Sequence, residues 1–214
     1  NEFTDPARVF IQSFELDNLL RLERELLPQA NLDLPLVFLL GDTSGRSPAD
    51  ESNFGQPYDL LWFAAQGEDL AARYGALARV VPGFGAGTHY GELLTPAALT
   101  VLRADIDGLG PWIPSLVQAS PAPDGAVDPR PRQGASMAPW LTEARRLGFA
   151  VHAYTLRQES PYLFLDTEGR PLPAEALLRQ LAEAGITGVF SDHVALAVAV
   201  RESLGEAVKN PASW

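Results

Sequence analysis

The sequence predicts a parallel α/β protein, and three stretches carry that prediction. Val151-His152-Ala153-Tyr154-Thr155-Leu156-Arg157 alternates apolar and polar positions and follows a helical segment closed by Gly148. Gly188-Val189-Phe190-Ser191-Asp192 reads as a short buried strand ending in a polar group. Val9-Phe10-Ile11-Gln12-Ser13-Phe14-Glu15 repeats the idea near the start. Each strand delivers polar side chains at its carboxyl end and is followed by a helix, as in parallel α/β proteins. In that architecture the chemistry sits at the carboxyl ends of the strands.

Taken in order, residues 1 to 8 are a polar lead-in and Val9 to Phe14 is the first strand. Glu15 and Asp17 start a helix with Asp17 as N-cap. Leu16, Leu19, Leu20, Leu26 and Leu27 follow at near-helical spacing, and Pro28 ends it. Leu36 to Leu40 is an unbroken apolar run of the kind buried on both faces. From Asp42 to Pro57 the chain is a long polar loop holding Asp50, Glu51 and Asn53, and loops of that length are more often functional than mere spacers. Tyr58 to Tyr74 reads as one helix anchored by Trp62, Phe63, Leu70 and Tyr74. Thr95-Pro96 carries the signature of a helix start.

Asp105-Ile106-Asp107-Gly108-Leu109-Gly110-Pro111-Trp112 is a short strand or turn. The proline-rich segment beyond it, about 118 to 137, is a surface excursion with no hydrophobic period. A helix from Pro139 to Leu147 precedes the central strand, with Gly148 at its end. A turn at Asp166, Glu168 and Gly169, a helix to Ala184, the last strand and a final apolar helix over 194 to 204 complete the chain, before a tail at 205–214.

The totals narrow the function classes. The length of 214 residues fits one large α/β domain or part of one, and 46% apolar residues supply a core. Sixteen basic against 27 acidic residues leave a net charge of -11, which repels a phosphate backbone and argues against nucleic acid. A small phosphorylated ligand needs only a local positive site and stays open. No run approaches the roughly 18 apolar residues of a membrane span. With no cysteine, disulfide and thiolate chemistry are excluded. The start at Asn1, without a basic or apolar leader, reads as a processed, tagged or truncated product.

The reacting groups are harder to find. Neither a glycine-rich dinucleotide loop nor a phosphate-binding loop with its lysine is present. No strand supplies a tight carboxylate pair or a His/Asp cluster suited to a metal. Asp105 and Asp107 could share a face, but a surface turn explains them as well. An open doubly wound sheet could be built from these strands.

Four motifs in order add to this reading: Gln12-Ser13-Phe14-Glu15 with Asn18-Leu19, Asp107-Gly108-Leu109-Gly110-Pro111, Val151 to Arg157, and Gly188 to Asp192. Together they resemble the glycerophosphodiester phosphodiesterase family, most closely its larger exported bacterial type. The resemblance implies the C-terminal part of a TIM-type (β/α)8 barrel, residues 1–204, with a loop-and-helix insertion at about 42–104. It implies metal-dependent hydrolysis of glycerophosphodiesters to glycerol 3-phosphate and an alcohol, in a periplasmic or secreted setting. The metal is expected to be Ca2+, or Mg2+. The family's early His-Arg-Gly, Glu-x-Asp and His-Asp motifs are not found in the sequence, so the catalytic groups and main metal ligands are expected outside this chain. The expected partner is the N-terminal half of the same barrel, as a missing segment or a separate chain, and the chain alone is expected to be inactive. The alternative is a non-catalytic binding or scaffold protein that keeps the pocket.

Within this frame, Tyr154 is the leading pocket residue, a phenol placed to donate to a phosphoryl oxygen. Gln12 could reach a phosphate or a metal-bound water, or could simply bond to backbone. Phe14 is a pocket wall or a core residue, and Trp112 faces a head group or is a lone exposed ring. Arg157 suits a bidentate phosphate contact, against a salt bridge to a loop acid such as Glu159. His152 shares the face of Tyr154 as a packing or supporting residue, since strand side chains alternate. Asp192 orients backbone near the pocket.

Overall fold

A computed structural model describes residues 9–45 and 54–204. The loop acids Asp50 and Glu51, with Asn53, and the tail at 205–214 lie outside the described residues. Five parallel strands form the main sheet: β1 (Ile11–Ser13), β2 (Leu36–Leu40), β3 (Gly108–Pro111), β4 (Ala150–Leu156) and, at the far edge, Gly188–Ser191. A two-stranded hairpin, β5 (Phe164–Leu165) and β6 (Pro171–Leu172), stands apart, so the edge strand is β7. The order is β1-β2-β3-β4-β7, with all four pairings parallel. It is an open sheet with two edges.

The two faces differ sharply. Leu36, Phe38, Leu40, Leu109, Val151 and Ala153 share one face and are fully buried beneath helices. Phe10, Gln12, Phe14, His152, Tyr154 and Phe190 fall on the other by strand alternation. There the Phe10 and His152 rings meet edge-on at 4.7 Å, and Phe14 meets Tyr154 at 5.9 Å. Phe10 and Phe14 flank β1, and His152 and Tyr154 lie in β4, with two strands between them in the sheet. In a flat sheet that separation is about 14 Å, three steps of about 4.8 Å. The ring contacts therefore require a sheet curled around this face, with Gly108 and Gly110 of β3 leaving the space between. The concave face is incompletely covered: Phe10, Phe14 and Phe190 remain 41%, 38% and 40% exposed.

Helix α1 (Leu16–Arg21) opens behind Glu15, whose carboxylate accepts from the Asn18 amide; Asp17, expected as the cap, lies within the helix. Pro28 does not end the helical stretch. A π turn at Leu22–Leu26 leads without a break into α2 (Leu27–Ala30), so Pro28 lies inside a continuous helical stretch, and the widened π turn directly before it accommodates a residue that lacks an N–H. The stretch stops at Asn31, in the left-handed conformation.

Between β2 and β3 lie α3 (Tyr58–Ala65), α4 (Leu70–Tyr74), α5 (Ala76–Val80), a 3-10 turn at Tyr90–Leu94 and α6 (Pro96–Leu102). The single helix expected over 58–74 is broken at Gly67, where φ is +76°, and restarts with Asp69 accepting from the Ala72 N–H. Thr95 caps α6 as expected, accepting from the Ala98 N–H, with Pro96 at its first position.

After β3 come α7 (Ile113–Leu116) and α8 (Trp140–Arg146), then α9 (Ala174–Glu183) and α10 (Val194–Ser203) flank β7. Gly148 follows α8 with φ +80°, which lets the chain leave the helix for β4. The proline-rich excursion is tied at its base. Ser120 and Arg132 exchange backbone bonds at 2.8 and 2.9 Å, and Gln133 and Pro131 bond to Leu165. Among the described residues no helix is long and apolar enough to cross a membrane.

Candidate functional site

The carboxyl ends of β2, β3 and β4 open into a cleft of about 1020 Å³. Asp42, Trp112, Ser115, Tyr154 and Arg157 line it, and the proline-rich excursion forms an apolar wall from Pro121 to Pro131. Of the residues predicted from sequence, Trp112, Tyr154 and Arg157 are brought together here. Gln12, Phe14, His152 and Asp192 are not among the lining residues.

The meeting point is the Leu40 carbonyl at the end of β2. It accepts the Trp112 N–H at 3.1 Å and the Tyr154 hydroxyl at 2.8 Å, which engages both its lone pairs. The phenol proton of Tyr154 is thus committed to backbone, and the oxygen's lone pairs remain to accept. Burial pushes that phenol well above the usual tyrosine range, so it stays protonated at neutral pH. The Tyr154–Thr155 peptide is cis. Trp112 is held by an edge contact to Phe54 at 5.0 Å. Phe54 is in turn placed by its carbonyl, which accepts the Asp42 N–H at 2.8 Å. Gly41 permits that approach, since a Cβ there would lie 2.0 Å from the Phe54 oxygen.

Arg157 projects beyond β4. Its Nε forms an ion pair with Asp192 at 2.9 Å, with the two side chains 36% and 50% exposed, and its guanidinium lies 4.4 Å over the Tyr162 ring. The expected rival partner, Glu159, instead takes His193 Nε2 at 3.2 Å. Asp192 therefore holds a side chain, where the sequence predicts a role toward backbone. The terminal nitrogens of Arg157 have no partner among the described residues. A planar cation fixed on two sides with free donors suits an oxyanion.

The remaining expected residues fall on the concave face. Gln12 is exposed on the edge strand and makes no side-chain hydrogen bond among the described residues. Phe14 packs its ring edge on Tyr154. His152 is half-buried against Phe10, and burial lowers its pKa, favouring the neutral ring. A Cβ on Gly188 would come within 2.6 Å of the imidazole, so β7 passes close over it.

Two groups are not predicted by the sequence. Asp42, buried at the cleft wall, accepts from Ser115 Oγ at 3.1 Å, and that hydroxyl accepts the Thr43 N–H at 3.0 Å. A signal for it exists: an acid just past an apolar strand, as with Asp192. The second group is Asp59, 5% exposed, which accepts from the Asp17 N–H and the Tyr74 hydroxyl, each at 2.8 Å. Burial raises its pKa against the lowering effect of these bonds. It ties α3 and α4 to α1. Asp105 and Asp107, the candidate metal pair, are both structural: Asp105 grips Arg24 at 2.7 Å, and Asp107 accepts the Leu36 N–H at 3.0 Å.

Among the described residues no group of three or more His, Asp or Glu side chains could hold a metal ion. These residues do not fit a metal centre by themselves.

The chain is similar to the glycerophosphodiester phosphodiesterase of Haemophilus influenzae, 27% identical over 186 residues. That stretch is 86% of this chain and 39% of the relative, so the chain spans well under half of the relative's length. No protein-family model matches the chain.

Proposed function

We propose that this chain supplies the C-terminal part of a glycerophosphodiester phosphodiesterase barrel, with the helices between β2 and β3 as its insertion. The similarity to the Haemophilus enzyme across 86% of the chain carries the reading. The curled parallel sheet, with its bare concave face and a cleft at the strand ends, supports it. The remaining strands come from a further portion of the polypeptide or a separate chain, which closes the barrel over Phe10, Phe14 and Phe190. The catalytic groups and the ligands of a divalent metal, calcium or magnesium, lie in that portion. As in the exported type that the sequence resembles, the protein works in the periplasm or outside the cell.

In this reading the chain binds and orients. Arg157, steadied by Asp192 and Tyr162, offers its terminal N–H groups to the phosphodiester. Tyr154 fixes the ends of β2 and β4 through Leu40 and presents its oxygen to the cleft, while Trp112 walls the alcohol portion. Gln12 and Phe14 face the interior shared with the complementary strands.

The test is release of glycerol 3-phosphate from glycerophosphocholine by the complete protein, followed by a coupled assay with and without a strong chelator. Release that the chelator abolishes is expected. No release with calcium or magnesium from neutral to alkaline pH leaves the non-catalytic binding protein as the better account.

A further inference from the structure

A second cleft, about 330 Å³, lies between the start of α1 and the outer face of α3. Its walls are Glu15, Asp17, Asn18, Tyr58, Trp62 and Phe63, with the buried Asp59 among them. Tyr58 and Trp62 are 52% and 51% exposed, yet their rings stack at 6.3 Å with planes 28° apart. The two large rings together form an apolar platform about half of whose surface stays open to solvent. The charge around it is negative: Glu15, Asp17, Asp59 and Glu68 stand against Arg73, which pairs with Asp17 at 2.8 Å and also with Glu68. Glu15 has no ion pair among the described residues and only the neutral Asn18 amide as a side-chain partner. The chain's own guanidinium already demonstrates the contact such walls favour, since Arg73 lies 3.7 Å over the Phe63 ring.

From this juxtaposition we propose that the Tyr58–Trp62 platform and Glu15 form a binding site for a small quaternary ammonium group such as choline. A quaternary ammonium cannot donate hydrogen bonds and is weakly hydrated, so it is recognised by aromatic faces and a nearby carboxylate. A primary ammonium is strongly hydrated and is satisfied by carboxylates alone, so the aromatic faces beside Glu15 are what favour the weakly hydrated quaternary group. The proposal goes beyond the phosphodiesterase reading and does not depend on it, because binding is measured without turnover. Where both hold, the cleft and the strand-end cleft lie at the same end of the sheet, since Glu15 directly follows β1 and Phe14 touches Tyr154.

The experiment is isothermal titration of the complete protein, with a strong chelator present to hold off turnover, using choline, its uncharged isostere 3,3-dimethylbutan-1-ol, and glycerophosphocholine. Choline is expected to bind and the isostere not, which separates a cation site from a merely apolar one. Trp62→Ala and Glu15→Gln are each expected to weaken choline binding about two- to fivefold. Both positions are at the surface, and thermal unfolding of the variants verifies that the fold is kept. Equal weakening of glycerophosphocholine binding places the ester's head group here, whereas retention of ester binding assigns the cleft to free choline. The proposal is overturned by absence of choline binding, by equal binding of the isostere, or by unchanged affinity in both variants.

Discussion

Replacing Arg157 by alanine separates a binding role from a structural one, because the structure bounds what the side chain gives the fold. Its ion pair with Asp192 is between half-exposed groups, worth about 0–1 kcal/mol. The contact over Tyr162 adds about 0.5–1 kcal/mol. Arg157→Ala should thus cost the fold about 1 kcal/mol, a fall in Tm of roughly 2–4 °C for a chain of this size. If the terminal nitrogens hold the phosphodiester, removing that charge-assisted hydrogen bond costs about 1.5–3 kcal/mol. That is about a 10- to 150-fold drop in kcat/KM. Asp192→Asn should retain most of the affinity, since it removes the restraint on Arg157 and leaves the cation. Steady-state kinetics of the complete protein beside calorimetric melting reads both quantities. Unchanged kcat/KM with a lowered Tm would show that Arg157 only braces β4 against β7, and the phosphate assignment would fall.

Four other outcomes follow from the packing. Asp59→Ala strands the Asp17 N–H and the Tyr74 hydroxyl in a buried site and should cost about 2–4 kcal/mol in denaturant unfolding; a loss under 1 kcal/mol refutes its role as a tie. Because the folded state raises the Asp59 pKa, its protonation favours the fold below the unfolded pKa, and that gain is lost as pH rises through the folded value. The stability advantage of wild type over Asp59→Asn should narrow with rising pH, and a widening gap contradicts the sign. Gly41→Ala places a Cβ against the Phe54 carbonyl and should destabilise by about 1–3 kcal/mol, with loosened Trp112 packing visible as a fluorescence shift; neutral behaviour refutes the close approach. The chain by itself should self-associate through its bare concave face, and Phe190→Glu should shift sedimentation toward monomer; a monomeric wild type with cooperative melting counts against the open face.

The strands are legible in the sequence because their signal is local. An apolar run as short as Leu36 to Leu40, closed by Gly41, suits a strand buried on both faces, and the alternation at 151–157 places His152 and Tyr154 on one face. Helix punctuation is legible where the cap is chemical, as at Thr95-Pro96 and Gly148. It fails where tertiary contacts override it. Pro28 reads as a stop, yet the helical stretch runs through it, because the π turn before it changes the register in a way that no sequence spacing shows. The 58–74 helix breaks because Asp69 offers a new cap and Gly67 a left-handed turn. At the site, Tyr154 and Arg157 follow from position in a strand, but their partners do not. Leu40 is 114 residues from Tyr154, and no spacing rule links them. Asp59 is hidden for the same reason, since a helix carboxylate matched by a distant hydroxyl and amide looks in sequence like any surface acid. The curl of the sheet is also hidden, because it emerges from ring contacts across Gly108 and Gly110.

The most direct test of the account is complementation. The chain, the remaining portion of the polypeptide, and the two together are assayed for glycerol 3-phosphate release from glycerophosphocholine in calcium. Release only when both are present, accompanied by burial of the concave face measured as slowed hydrogen exchange in β1 and β7, is the predicted result. Release by this chain alone, or exchange in β1 and β7 unaltered by the partner portion, would contradict it.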